Sequence, residues 1–294
     1  MKHRSFIVLS LVAACLAAFF TVSAASAQDA KKAKVLLFTR SQGFEHAPVK
    51  LQPDDTTVCG NALKKYFTDK NVDLVETQDG GVFDGDLGQY DAFLFYTSGN
   101  LQEEKGSKNE SAKPMTETGL KKMIDAVKGG KGFVGIHSAT DTHCKLKNDA
   151  GEDLYTAFIG ARFASHGPMQ FASVVVTDPV ELPWLKETGK KITNYEEWYA
   201  MRNYAKDLHV VLVQPTEGME GKCYERPDYP SSWIRKENKG RVAYSAYGHD
   251  NRFWQHPENV RKVGEFVLWA VGRFDMTTTP NIDKVTPGAN ELPK

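Results

Sequence analysis

Apolar residues along the chain gather in short runs and helical stripes separated by polar, glycine-bearing segments. The run Lys34-Val35-Leu36-Leu37-Phe38-Thr39 predicts a buried first strand, followed by the polar loop RSQGFEHAP. Residues 54–69 carry apolar side chains at 58, 62, 63, 66 and 67, a helical spacing with Asp54 or Asp55 as N-cap. A second strand is predicted over 72–76 and a third over 91–96, ending at Thr97-Ser98-Gly99. The polar stretch 100–116 reads as a surface loop. Over 116–128, Leu120, Met123, Ile124 and Val127 share one helical face, and Gly129-Gly130 ends it. A fourth strand, 132–136, runs into GIHSATDTHC. Strands alternating with helices predict an α/β fold, a doubly wound, mostly parallel sheet with helices on both faces.

The second half predicts a helix over 154–159 and strands over 171–176 and 208–213, with the polar-aromatic segment NYEEWYAMRN (194–203) between those strands. Residues 233–245 read as a hairpin turning at 237–240. A closing helix over 258–273 puts Val260, Val263, Phe266, Val267 and Ala270 on one face. Residues 274–294, rich in Thr, Pro and Asn, read as a loose tail. No repeat or linker divides the chain between them.

The first residues change the picture of where the protein works. Lys2 and Arg4 precede an apolar stretch over 5–22, and Ala25-Ser26-Ala27 supplies small residues for cleavage. Residues 1–27 therefore read as a secretory signal peptide, with a periplasmic or secreted product. Lipidation at Cys15 is the weaker alternative, because the apolar stretch runs on past it. No later stretch is long and apolar enough to span a membrane. The chain has 37 basic and 37 acidic residues, interspersed, and loss of Lys2 and Arg4 leaves a slight acidic excess. Nothing here suggests a nucleic acid partner. Cys59, Cys144 and Cys223 remain beyond the leader, an odd number without any C-x-x-C, so one disulfide or none is open.

Candidate chemistry lies in the histidines. The run 132–144 has the layout of a strand entering a sharp turn that presents one side chain, and it presents His137 where many α/β enzymes carry a Ser or Cys nucleophile. His166 and His249 also neighbour glycines, where a ligand or metal can approach the backbone. The loops after the first, third and fourth strands hold His46, Thr97-Ser98 and His137, and in parallel sheets such loops share the ligand-binding rim. His209 and His256 read as strand-end and helix-start residues. Imidazole suits acid–base work near neutral pH and borderline metals such as zinc. Carboxylates to complete either set are Asp141, Glu196, Glu197 and Asp250, though no spacing is a specific metal signature. Trp198, Tyr199, Trp233 and Trp254 are rings against which sugar C–H faces can pack.

These motifs together resemble the ThuA-like (trehalose utilisation) family. The resemblance runs over about 34–273 and rests on KVLLFTRSQGFEH, GGKGFVGIHSATD, RFASHGP, NYEEWY and SSWIRKENKGRVAYSAYGHD. It implies a class I glutamine amidotransferase-like, flavodoxin-like fold with His137 in place of the elbow cysteine. Where the family often has Asp-Glu before the aromatic pair, this chain has Glu196-Glu197. The family's association with trehalose and its 3-keto derivatives implies a small-molecule carbohydrate ligand.

The expectation is thus an exported sugar- or keto-sugar-processing enzyme, a hydrolase, lyase or isomerase without a cysteine nucleophile. His137, Glu197 and His249 are its expected catalytic residues. His46, Asp141, His166, Tyr199 and Trp233 are expected to bind substrate. A divalent metal (zinc, manganese or cobalt) would use His46, His137, His166, Glu197 and His249. The alternatives are a non-catalytic carbohydrate-binding domain and an amidotransferase-like hydrolase using Cys144 or Cys59.

Overall fold

The computed structural model describes residues 31–104, 109–179 and 181–293. The leader expected over 1–27 lies outside the described residues. In the first half the strands are β1 (Ala33–Phe38), β2 (Val72–Thr77), β3 (Ala92–Phe95), β4 (Gly99–Asn100), β5 (Gly132–Ile136) and β6 (Thr142–His143). The second half adds β7 (Arg162–His166), β8 (Gln170–Val176), β9 (Lys191–Glu196), β10 (Tyr199–Arg202), β11 (His209–Gln214), β12 (Tyr229–Glu237) and β13 (Gly240–Ser245). The helices are α1 (Val58–Phe67), α2 (Glu117–Lys128), α3 (Leu154–Ile159), α4 (Pro183–Thr188), α5 (Asn251–Gln255), α6 (Pro257–Ala270) and α7 (Ile282–Val285).

One sheet of nine strands runs β2-β1-β3-β5-β13-β12-β11-β8-β9, and β7–β10 and β4–β6 pair separately. The ladders from β2 to β13 are parallel, and those from β13 to β9 are antiparallel. The sheet is mixed, which corrects the expectation of a mostly parallel one. The reason is the connections of the second half. Asn238, at φ +52°, closes a tight turn between β12 and β13, and so short a link joins only antiparallel neighbours.

Central strands are apolar throughout because both faces are covered. Side chains three apart on a strand point to opposite faces. A Cβ on Gly132 would meet Ala270 of α6, and one on Gly135 would meet Ile159 of α3, so β5 has a helix on each face. The predicted stripe of α6 is buried at Val260, Val263, Phe266, Val267 and Ala270, each large side chain contributing about 2 kcal/mol.

Two local expectations change. The N-cap of α1 is Thr57, whose hydroxyl accepts from the Gly60 amide at 3.0 Å. Asp54 instead closes a turn on Thr56, the short-range bonding that competes with capping. The closing segment, expected to be loose, is anchored. The Asn281 side chain accepts from Val210 N, Asn290 bonds both backbone groups of Tyr204, and the Arg226 guanidinium donates to Ala289 O. The segment NYEEWYAMRN divides into the end of β9 and all of β10, with Glu197 and Trp198 at the corner between two ladders.

A histidine–glutamate cluster at the strand ends

His137 follows β5 directly and has φ +44°, a left-handed conformation that is strained for a residue with a Cβ. Surrounding bonds hold it there. Tyr244 Oη donates to His137 O at 2.7 Å, and His137 Nδ1 lies 3.0 Å from Ala246 O. A carbonyl only accepts, so Nδ1 carries the proton in that bond. The ring is fully buried, and its Nε2 lies 3.3 Å from His249 Nδ1 and 3.5 Å from Glu197 Oε2.

His249 follows β13 and depends on a second acid. Buried Glu196, the last residue of β9, accepts from Gly248 N at 2.9 Å, His249 N at 3.2 Å and Glu197 N at 2.9 Å. Tyr96 Oη and Trp254 Nε1 both donate to Gly248 O. The clamped loop sets His249 Nδ1 3.0 Å from Glu197 Oε2. The other oxygen of Glu197 lies 3.3 Å from Nδ1 of His166, which is at the end of β7 and substantially exposed. His46, buried in the loop after β1, stands edge-on to His137 and His249 with centroids 4.7 and 5.1 Å away. Its Nε2 lies 3.3 Å from Tyr199 Oη, and its Nδ1 is buried without a hydrogen-bond partner.

Charge follows from this packing. Burial disfavours the Glu197 carboxylate, but hydrogen bonds and charge from His137 and His249 outweigh it and hold the acid well below the usual range. Burial likewise opposes charge on His249, and Glu197 overcomes it, raising that imidazole. Burial, reinforced by His137 and His249, pushes His46 down to about 2, so it stays neutral with a lone pair to give. Glu196 is raised by burial.

One ligand atom from each of His46, His137, Glu197 and His249 falls within 4.8 Å of the others. Bonds of about 2.0–2.2 Å to a tetrahedral zinc ion require ligand-to-ligand edges of roughly 3.3–3.6 Å. The 3.0, 3.3 and 3.5 Å edges of the His137–Glu197–His249 triangle are near that size.

A family model described as trehalose utilisation, ThuA, matches residues 34–270. The chain belongs to the ThuA family. The fold is similar to that of a ThuA-like protein of Bacteroides uniformis, 21% identical, over 81% of this chain and 91% of that one (TM-score 0.57). A ThuA-like protein of Parabacteroides merdae is 17% identical over 90% of this chain and 97% of that one (TM-score 0.55). A glutamine amidotransferase of Thermotoga maritima aligns over 83% of this chain and all of that one at 10% identity (TM-score 0.45). No curated protein matches.

Within this ThuA domain the expected residues separate. His46, His137, Glu197 and His249 converge, with Tyr199 packed on His137 at a centroid distance of 4.1 Å. His166 meets Glu197 but is outside the four-atom group. Asp141 sits half-buried at the end of the turn after His137, its carboxyl raised by burial, without an ion pair among the described residues. Trp233, expected to face a sugar, is a core residue. It is fully buried, donates to Ile159 O at 2.9 Å and stacks on Tyr244, whose hydroxyl supports His137. All three described cysteines are free. Burial raises the thiols of Cys59 and Cys144, opposite to the shift a thiolate nucleophile needs. Sequence reasoning missed the role of Glu196. Its signal was the Glu-Glu doublet at a strand end, which sends consecutive side chains to different sides.

Proposed function

We propose that this ThuA-family protein is an exported enzyme acting on a sugar or keto-sugar of the trehalose type, and that His46, His137, Glu197 and His249 hold a divalent cation. One observation carries the cation. With Nδ1 committed to Ala246 O, His137 turns Nε2 toward the Glu197 carboxylate at 3.5 Å and toward His249 Nδ1 at 3.3 Å. A proton on one imidazole or a bound metal ion can reconcile these facing donors, and the buried, neutral His46, a further donor that a proton does not occupy, favours the metal. The Nδ1 bond to Ala246 O is the outer-shell contact that fixes a metal-ligating tautomer.

A divalent ion there would supply Lewis-acid polarisation of a sugar carbonyl or hydroxyl. The protein's own groups supply the rest. His166, the most exposed of the four histidines around Glu197, holds that carboxylate's other oxygen from the solvent side. Tyr199 Oη orients His46. The sugar class is supported by the family description, and export by the leader-like residues 1–27. A hydrolytic, lyase or isomerising step fits a site without a thiolate.

Elemental analysis of protein purified without tags or chelators tests the reading. About one equivalent of zinc, manganese or cobalt is expected, lost in both His137→Ala and Glu197→Gln. Protein that is folded, metal-free and unchanged in melting temperature on adding each of these ions would sink it.

A further inference from the structure

A cavity of about 920 Å³ lies beside α3, apart from the histidine cluster, and three of its cations have no ion-pair partner among the described residues. Arg162 on β7 and Arg202 on β10 are direct cross-strand partners. Like charges placed opposite each other in a ladder repel. Both arginines line the cavity, as does Lys147, and none of the three side chains forms an ion pair or hydrogen bond among the described residues. Asp141 feels the field of Arg162 but makes no ion pair with it.

The cavity's carboxylates are already engaged. Asp207 pairs with Arg235 at 2.8 Å, and Asp153 accepts from Thr156 N and Cys144 N. Glu152 accepts from the Asn148 side chain at 2.9 Å. Lys206, also on the wall, pairs with Asp283. Three cationic side chains thus line one cavity with their donors unspent.

We infer that this cavity is an anion-binding site in which Arg162, Arg202 and Lys147 bind the oxyanion of a phosphate ester or carboxylate. Guanidinium forks match such oxygens in pairs, and an anion between the arginines removes the cross-strand repulsion. The β7–β10 ribbon connects this site to the cluster. At its other end His166 pairs with Tyr199, roughly 13 Å away along the strands. The inference does not depend on the cation proposed above.

Isothermal titration of the full chain at low ionic strength with inorganic phosphate, a hexose phosphate and a hexuronate tests it. Binding of at least one probe is expected, weakened about tenfold in each of Arg162→Gln and Arg202→Gln, and weakened in Lys147→Gln. Tightest binding of phosphate marks a free-ion site, of hexose phosphate an ester site, and of hexuronate a carboxylate site. Binding is expected to survive His137→Ala, which separates this site from the cluster. No binding of any probe into the millimolar range overturns the inference. So does an affinity unchanged in the Arg162→Gln, Arg202→Gln double variant, with its fold verified by circular dichroism.

Discussion

Oε2 of Glu197 lies 3.0 Å from Nδ1 of His249, and the same oxygen lies 3.5 Å from Nε2 of His137. One carboxylate oxygen therefore serves two imidazoles delivered by different strands. The stability and proton affinity of the cluster depend on that sharing.

Replacing the shared acid tests its electrostatic role. In metal-free Glu197→Gln the His249 pKa is expected to fall, since Glu197 is what raises it against burial. Imidazole chemical shifts followed through a pH titration read this directly. A His249 pKa that stays in place assigns the shift to other groups.

Stability should depend on pH with opposing signs. His46 has a folded pKa of about 2 against 6.5 unfolded, so its neutral burial destabilises the fold increasingly as pH drops below 6.5. Glu197, depressed from 4.5, contributes stability present above 4.5 and lost as pH falls through its folded value. His249, raised from 6.5, contributes in full below 6.5 and loses it as pH rises through its folded pKa. From pH 7 to pH 5 the His46 loss runs over the whole interval below 6.5, whereas the His249 gain is confined to the part above it, so the metal-free melting temperature should decline. His46→Gln should flatten that decline. An equally steep slope in the variant assigns the loss elsewhere.

Glu196 should matter to stability more than its absence from the ligand set suggests. Glu196→Ala leaves the amides of Glu197, Gly248 and His249 without their acceptor, at about 1–3 kcal/mol for each buried donor left unpaired. Glu196→Gln keeps an acceptor and loses less. Denaturant unfolding of both variants measures the difference, and equal losses would falsify the amide clamp.

His137 should reverse the usual order of substitutions. At φ +44° an alanine keeps the Cβ clash that glycine lacks, worth about 1–2 kcal/mol. His137→Gly is therefore expected to be more stable than His137→Ala, the opposite of the order in a helix or strand. Urea midpoints of the two variants decide it.

Much of the fold was readable because its signals are local. The stripes at Leu120–Val127 and Val260–Ala270 are periodic, and both faces are buried as the spacing required. The turn at His137 was visible as glycine and small residues around one histidine. Trp233 reads as a sugar-facing ring in the sequence because an aromatic residue looks the same on a rim as in a core. Only its stacking on Tyr244 shows which it is. The packed segment after α6 was unreadable for a similar reason. Asn281 and Asn290 look like tail residues until their partners, Val210 and Tyr204, are seen.

The amino-acid order by itself determined the strands, the helices and a set of histidines and acids suited to proton or metal chemistry. These follow from interactions within a few residues, whose period and composition can be counted. The tertiary structure decided the mixed pairing of the sheet and which polar groups meet. His46, His137, Glu197 and His249 come from four separate segments, and ladder register brings their atoms within 4.8 Å. Register and sheet order arise from contacts far apart in the chain, so neither can be counted along it.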